Sequence, residues 1–298
     1  MRKNLVIFIM GAMALFVLTA CESGKETTES GLFGVIWSGN QFVGVGNAGI
    51  IRTSPDGIAW TTQTSGTTKS LLGLVWSGSH FAAVGNGGNI LTSSDGITWT
   101  TQSSGTTSDL YGITWSGTQF VAVGDTGAIF TSPTGTQWIP QTSGTTDTLY
   151  GIAWSGTQFV TVGLNGTIFT SLDGVTWTIQ SSGIGDSLGG IIWAGTQFVA
   201  VGNGGVLLTS PDGATWTAQT TGVENNLSGI AWSGAQFVAV GDTGTILTSP
   251  DAITWTPRAS GTSNSLFGIG WSGTQFVAVG WSNDILTSQD GITWTRRL

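Results

Sequence analysis

The sequence predicts an all-β protein, a seven-bladed β-propeller of four-stranded antiparallel blades. A 39-residue unit recurs without slippage, its copies starting at Leu32, Leu71, Leu110, Leu149, Leu188, Leu227 and Leu266. A fixed period of this size marks a repeat architecture, in which a unit buries its apolar face only against its neighbour. Within each copy, four short runs rich in Val, Ile, Phe, Trp and Thr are separated by Gly, Asp, Asn and Pro, the pattern of strands and their turns. In the third copy they are "LYGITW", "QFVAVG", "AIFTS" and "QWIPQT". Of 298 residues 48 are glycine and only 8% are charged, which suits many turns and no long helices. Seven such units in series are expected to close into a ring.

Residues 1–20 are of a different kind. Arg2 and Lys3 precede an apolar run from Leu5 to Ala20, and Cys21 follows. A basic start, a short apolar stretch and small residues at the break form the pattern of a secretory signal, and the run is short for a spanning helix. The segment "LTAC" (18–21) resembles the bacterial lipoprotein box, which implies that Cys21 is lipidated and becomes the mature N-terminus. An ordinary cleaved signal with a chance cysteine is the alternative. Residues 22–31, "ESGKETTESG", read as a flexible tether. The expected organisation is a signal peptide (1–20), a lipidated cysteine with its tether (21–31) and a propeller (32–298), lipid-anchored on the extracytoplasmic side of the bacterial cell envelope. Cys21 is the only cysteine, so neither an intrachain disulfide nor a thiolate metal cluster can form. No metal and no cofactor is expected.

All the tryptophans but Trp281 fall at two fixed places, one ending the first strand (Trp37 to Trp271) and one in the fourth (Trp60 to Trp294). Each can bury about 150–250 Å², and they are expected to fill the wedge between stacked blades. Between third and fourth strands runs a second regular motif: "SPDGIAW" (54–60), "SSDGITW", "SPTGTQW", "SLDGVTW", "SPDGATW", "SPDAITW" and "SQDGITW" (288–294). An aspartate in a tight turn accepts backbone N–H groups, glycine takes the strained position, and tryptophan covers the turn. The motif resembles the Asp box of sialidase-type bacterial propellers, in a variant one residue shorter. Thr134 replaces the aspartate in copy three and Ala252 the glycine in copy six. The resemblance implies a structural role, opposite the active face, for Asp56, Asp95, Asp173, Asp212, Asp251 and Asp290. It also implies that "LxGIxW" is the innermost strand, lining the channel.

Turns alternate between the two ends of an up-and-down blade, so the second-to-third turns and the inter-blade linkers share one end. There the copies differ most. Every acidic residue of the propeller outside the Asp-box-like turns lies at this loop end: Asp109, Asp147, Asp186 and Glu224 in linkers, Asp125, Asp242 and Asp284 in or beside turns. Loop-bearing ends of rigid scaffolds commonly bind ligands, although variable polar loops also serve solubility alone. The last copy reads "FVAVGWSND", with Trp281 where five siblings have Asp or Asn and the fourth has Leu164. Beside Asn283 and Asp284, Trp281 is suited to stack on a sugar, a cation or a peptide side chain; equally, it can fold over the seam between blades seven and one and help close the ring. Tyr111 and Tyr150, in neighbouring inner strands, allow the same two readings.

Sialidase-like catalysis would require an arginine triad, a Tyr–Glu nucleophile system and an acidic acid/base. The propeller has only Arg52, Arg258, Arg296 and Arg297, all in strand segments. Other glycosidases need two carboxylates at a set separation, for which Asp109, Asp147 and Glu224 are available. His80, the only histidine, replaces a glutamine in a turn of the opposite end. A formal charge of −8 argues against nucleic acid, which a basic surface would bind. The expected function is a non-catalytic, monomeric, membrane-anchored propeller that binds an envelope protein or glycan or scaffolds assembly; a glycoside hydrolase is the alternative. In broad outline the chain also resembles the photosystem II assembly-factor propellers, which implies an assembly role, but it lacks an arginine cluster comparable to their basic patch.

Overall fold

The computed structural model describes residues 30–297; the signal segment, Cys21, most of the tether and Leu298 lie outside the described residues. Seven four-stranded antiparallel sheets form, each from one repeat with its strands in chain order. Blade one comprises Leu32–Trp37, Phe42–Gly46, Ile51–Ser54 and Thr61–Gln63. The first strands of consecutive blades, including seven and one, are neighbours around the axis, so "LxGIxW" is innermost. The tryptophan expected within the fourth strand lies one residue before it, in the preceding turn. Among the described residues no helix is long and apolar enough to cross a membrane.

The core is seven seams rather than one centre. Val43, Val45 and Ile51 of blade one cluster with Leu71, Leu74 and Phe81 of blade two, and the grouping repeats to the last seam, where Val277, Val279 and Ile285 meet Leu32, Val35 and Phe42. All five residues of the second strand are buried in every blade. Its leading phenylalanine is the best-buried large side chain: Phe42 is 1% exposed, with ring centroids 4.7 Å from Trp37 and 6.4 Å from Trp60. The tryptophans are mostly half-buried covers on either side of it. For the series that precedes the fourth strand the edge position has a polar reason, since a buried indole N–H needs an acceptor; Trp60 Nε1 donates to Gly57 O at 3.0 Å.

Close backbone approach draws the inner strands together. A Cβ on Gly73 would lie 2.6 Å from Tyr111 O, and the same holds for Gly112 against Tyr150 O and Gly229 against Phe267 O. Only glycine permits that spacing. The first-to-second pairing shifts register around the second residue of each inner strand. These bulged residues meet their counterparts in neighbouring blades: Tyr111 and Tyr150 lie 5.3 Å apart, and Phe33 and Phe267 lie 5.4 Å apart.

The turns between third and fourth strands show the expected chemistry. Asp56 Oδ1 accepts the N–H groups of Ile58 (2.8 Å) and Ala59 (3.0 Å), and Gly57 has φ +70°. A glutamine from the preceding blade ties down five of the seven turns: Gln41 Nε2 donates to Asp95 O, and Gln119 Nε2 to Asp173 O, both at 2.7 Å. Gln275 of blade seven donates to Asp56 O of blade one and so helps join the ring. His80 and Thr134, two of the departures from this pattern, belong to adjacent blades two and three. Thr134 Oγ1 bonds Thr136 Oγ1 at 2.7 Å instead.

In all six turn aspartates, the N–H three residues on, followed by the N–H two residues on, holds the carboxyl below its ordinary value of 3.8. A carboxyl whose folded pKa is depressed stabilises the fold above its unfolded pKa and loses that contribution as pH falls through the folded value. Thermal stability should therefore be level from neutral pH to about 4 and fall below it, as read by melting curves across a pH series. At neutral pH, Asp290→Ala should cost about 1 kcal/mol, and Thr134→Asp should raise the melting temperature by replacing a weak hydroxyl acceptor, 3.4 Å from Thr136 N, with a carboxylate.

Candidate functional site

The loop end is built on seven two-residue hairpin turns in which both central residues have positive φ, such as Ala48 (50°) and Gly49 (75°), the type I′ geometry that suits twisted strands. The second position is glycine in six blades because the outgoing linker crosses over it. A Cβ on Gly49 would lie 2.1 Å from Thr67 O, and one on Gly205 would lie 2.0 Å from Val223 O. Each turn's first residue then donates its N–H to the incoming linker, as Asp125 N does to Asp109 O and Asp242 N to Asn226 O, both at 2.9 Å.

Linker side chains add a second set of ties. Asp109 accepts Asn86 Nδ2 and Gly87 N, both at 2.6 Å, and thereby clamps the turn of blade two. Asp147 accepts Thr167 Oγ1 (2.7 Å) and Asn165 Nδ2 (3.4 Å). Asp125 accepts Thr148 Oγ1 at 3.2 Å, and Asp242 accepts Asn226 Nδ2 at 2.9 Å. Burial, then the charge of Asp125, raises the pKa of Tyr111 and of Tyr150, so both hydroxyls stay protonated and Tyr111 is also hydrogen-bonded to Asp125. Asp186 and Glu224 are exposed and have no polar partner among the described residues. The expected acidic cluster is thus two populations, five carboxylates held within the scaffold and two free.

Asp284 lies inside blade seven, 1% exposed, paired with Arg296 and accepting Thr262 Oγ1 and Asn264 Nδ2. Trp281 lies half-buried on the seam between blades seven and one. Its ring is edge-on to Phe33 and Phe267, each at 5.5 Å, and covers Gly31. Asn283 takes φ +60° where the other blades have glycine, a conformation asparagine tolerates. Its N–H donates to Ser30 O (2.8 Å), its Oδ1 accepts Arg52 Nη2 (3.0 Å), and Gly31 N donates to Asn47 Oδ1 (2.8 Å). Ser30 and Gly31, the end of the expected tether, are thus held at the loop end.

The second residues of the inner strands, read in blade order, are Phe33, Leu72, Tyr111, Tyr150, Gly189, Ser228 and Phe267. Five are large. Gly189 is exposed, and a Cβ there would meet only Leu227 O at 3.9 Å, so the ring is open at blades five and six. This asymmetry was missed from the sequence, although the second letter of each "LxGIxW" run carries it. The arginines do not converge: Arg258 Nε and Arg297 Nε bond Thr248 and Thr287 on outer strands, Arg296 pairs with Asp284, and Arg52 reaches Asn283. Among the described residues no three His, Cys, Asp or Glu side chains are placed to hold a metal. A groove of about 680 Å³ lies on the flank of blade three between Thr126–Phe130 and Pro140–Asp147. A counterpart of about 290 Å³ in blade two makes it a recurring feature of blade geometry.

Ring closure by Trp281 has a measurable consequence. Removing a large aromatic from a packed site costs on the order of 2–4 kcal/mol, so Trp281→Ala should lower the melting temperature, and Trp281→Phe should recover most of the loss.

No family model matches the chain, and no curated protein matches it in sequence. Solved structures do resemble it. YCF48 bound to a D1 peptide is 16% identical with a TM-score of 0.71, covering 89% of this chain and 92% of that one. YCF48 from Cyanidioschyzon merolae is also 16% identical at 0.71, covering 88% and 96%. The WD40 propeller domain of Doa1 is 12% identical at 0.73, covering 89% and 95%. At these identities the likeness establishes the β-propeller fold.

Proposed function

We propose that the protein is a non-catalytic binding propeller that takes an envelope protein or glycan at its loop end and is tethered to a membrane surface through a lipid on Cys21. The observation that carries this reading is the contrast between the ends. One end repeats the same Asp, Gly, Trp and Gln contacts; the other varies its side chains over a constant backbone frame and opens at one sector of the axis. A similar propeller, YCF48, is seen with a peptide, which supports protein recognition over sugar turnover. The scattered arginines give no support to a sialidase-like mechanism. Ser30 leaves from the loop end, so residues 22–30, at most about 30 Å when extended, would hold that end toward the bilayer. The partner would therefore be membrane-proximal.

Matched substitutions test the working end. Thr68, Thr107 and Thr146 are exposed on linkers, and Thr118, Thr157 and Thr196 are exposed on the opposite end. Changing the first three to arginine should weaken capture of an envelope ligand at least ten-fold, in pull-down and glycan-array formats, whereas changing the second three should not. Loss from the second set alone would overturn the assignment. Cys21→Ser should move the protein from the detergent-extracted membrane fraction to the soluble one.

A further inference from the structure

We infer that the opening at blades five and six is a slot for a lysine or arginine side chain of a linear basic peptide. The inference rests on the loop-end reading above and narrows its ligand. Two features coincide there. Gly189 and Ser228 replace the large second residues found in the other blades, which leaves a gap between Tyr150 and Phe267 in the order of the ring. The two carboxylates without a polar partner among the described residues, Asp186 and Glu224, stand on the linkers entering those same two blades.

The other linker acids are consumed by the scaffold: Asp109 by Asn86 and Gly87, Asp147 by Thr167 and Asn165. Free negative charge is therefore concentrated beside the gap. The only described lysine, Lys69, enters blade two, across the ring, where its Nζ donates to Gly87 O at 3.2 Å. A basic side chain suits each part of this arrangement. Its methylenes can lie along apolar side chains, its charge is attracted by aromatic faces, and its head group can reach carboxylates that keep their full hydration until it arrives. Complementary charge of this kind steers encounter and sets orientation. A peptide backbone can then cross the open mouth of the ring without displacing any of the linker ties.

The test uses residues 22–298, which contain every strand and all seven seams. The probe is a fluorescein-labelled nine-residue peptide alternating Lys and Ser, with a Glu–Ser peptide of equal length as comparison, read by anisotropy. The Lys–Ser peptide should saturate one site. Gly189→Leu fills the gap without changing charge and should weaken binding at least ten-fold, as should Asp186→Asn with Glu224→Gln; Lys69→Gln should not weaken it. Ser228→Leu gives a second filled slot should Gly189→Leu fail to melt like the parent. Undiminished binding to both filled variants would mean diffuse attraction to an acidic protein and would overturn the inference, as would no saturable binding by the parent. Preference for the Glu–Ser peptide, lost on the Thr68, Thr107 and Thr146 substitutions, would overturn the basic ligand and leave the loop-end assignment standing.

Discussion

Each blade of this protein is buried only by its neighbours, and the rest of the structure answers to that constraint. Val43 and Val45 have no core within blade one; they are covered by Leu71, Leu74 and Phe81 of blade two. Stability in such an arrangement is a sum of nearest-neighbour seams, and a ring leaves no blade with an open face. The strict repeat length follows, because every seam must present the same Phe–Trp stack at the same height.

The last seam carries the hardest part of that demand. Here each sheet belongs wholly to one repeat, so among the described residues no strand is shared between blade seven and blade one. The join is made by side chains and short backbone bonds instead. Trp281 packs between Phe33 and Phe267, Asn283 ties Ser30 and Arg52, and Gln275 reaches the turn of Asp56. Two of the departures in "FVAVGWSND", Trp281 and Asn283, are engaged in this closure. They record the place where the first and last blades meet, which no internal repeat has to accommodate.

The two ends of the disc diverge for a related reason. At the Ser-x-Asp-Gly turns, the Ser, Asp and Trp side chains repeated among the copies each satisfy a backbone group, so change is costly. At the loop end, the frame is held by backbone carbonyls of the linkers and by glycines beneath them, which leaves most side chains free to differ. Variation among copies there produces both the scaffold clamps of Asp109 and Asp147 and the unpaired charges of Asp186 and Glu224. An acidic residue at this end is therefore not by itself a surface group: Asp284, adjacent in sequence to an exposed turn, is buried against Arg296.

The sequence alone determined the fold class, the blade boundaries and the turn chemistry of Asp56 and its counterparts, because these are set by local spacing that the chain repeats; the inner position of "LxGIxW" was implied only by the resemblance of those turns to the Asp box. It also located the variable acidic end, by comparison of copies. Only the tertiary structure decided which phenylalanine lies at the centre of each stack, which carboxylates are spent on the scaffold, and where the ring is open. Trp281 and Phe33 are far apart in the chain, and Tyr150, Gly189, Ser228 and Phe267 belong to four different repeats. Their adjacency comes from closing seven seams around one axis, a long-range condition that no local pattern encodes.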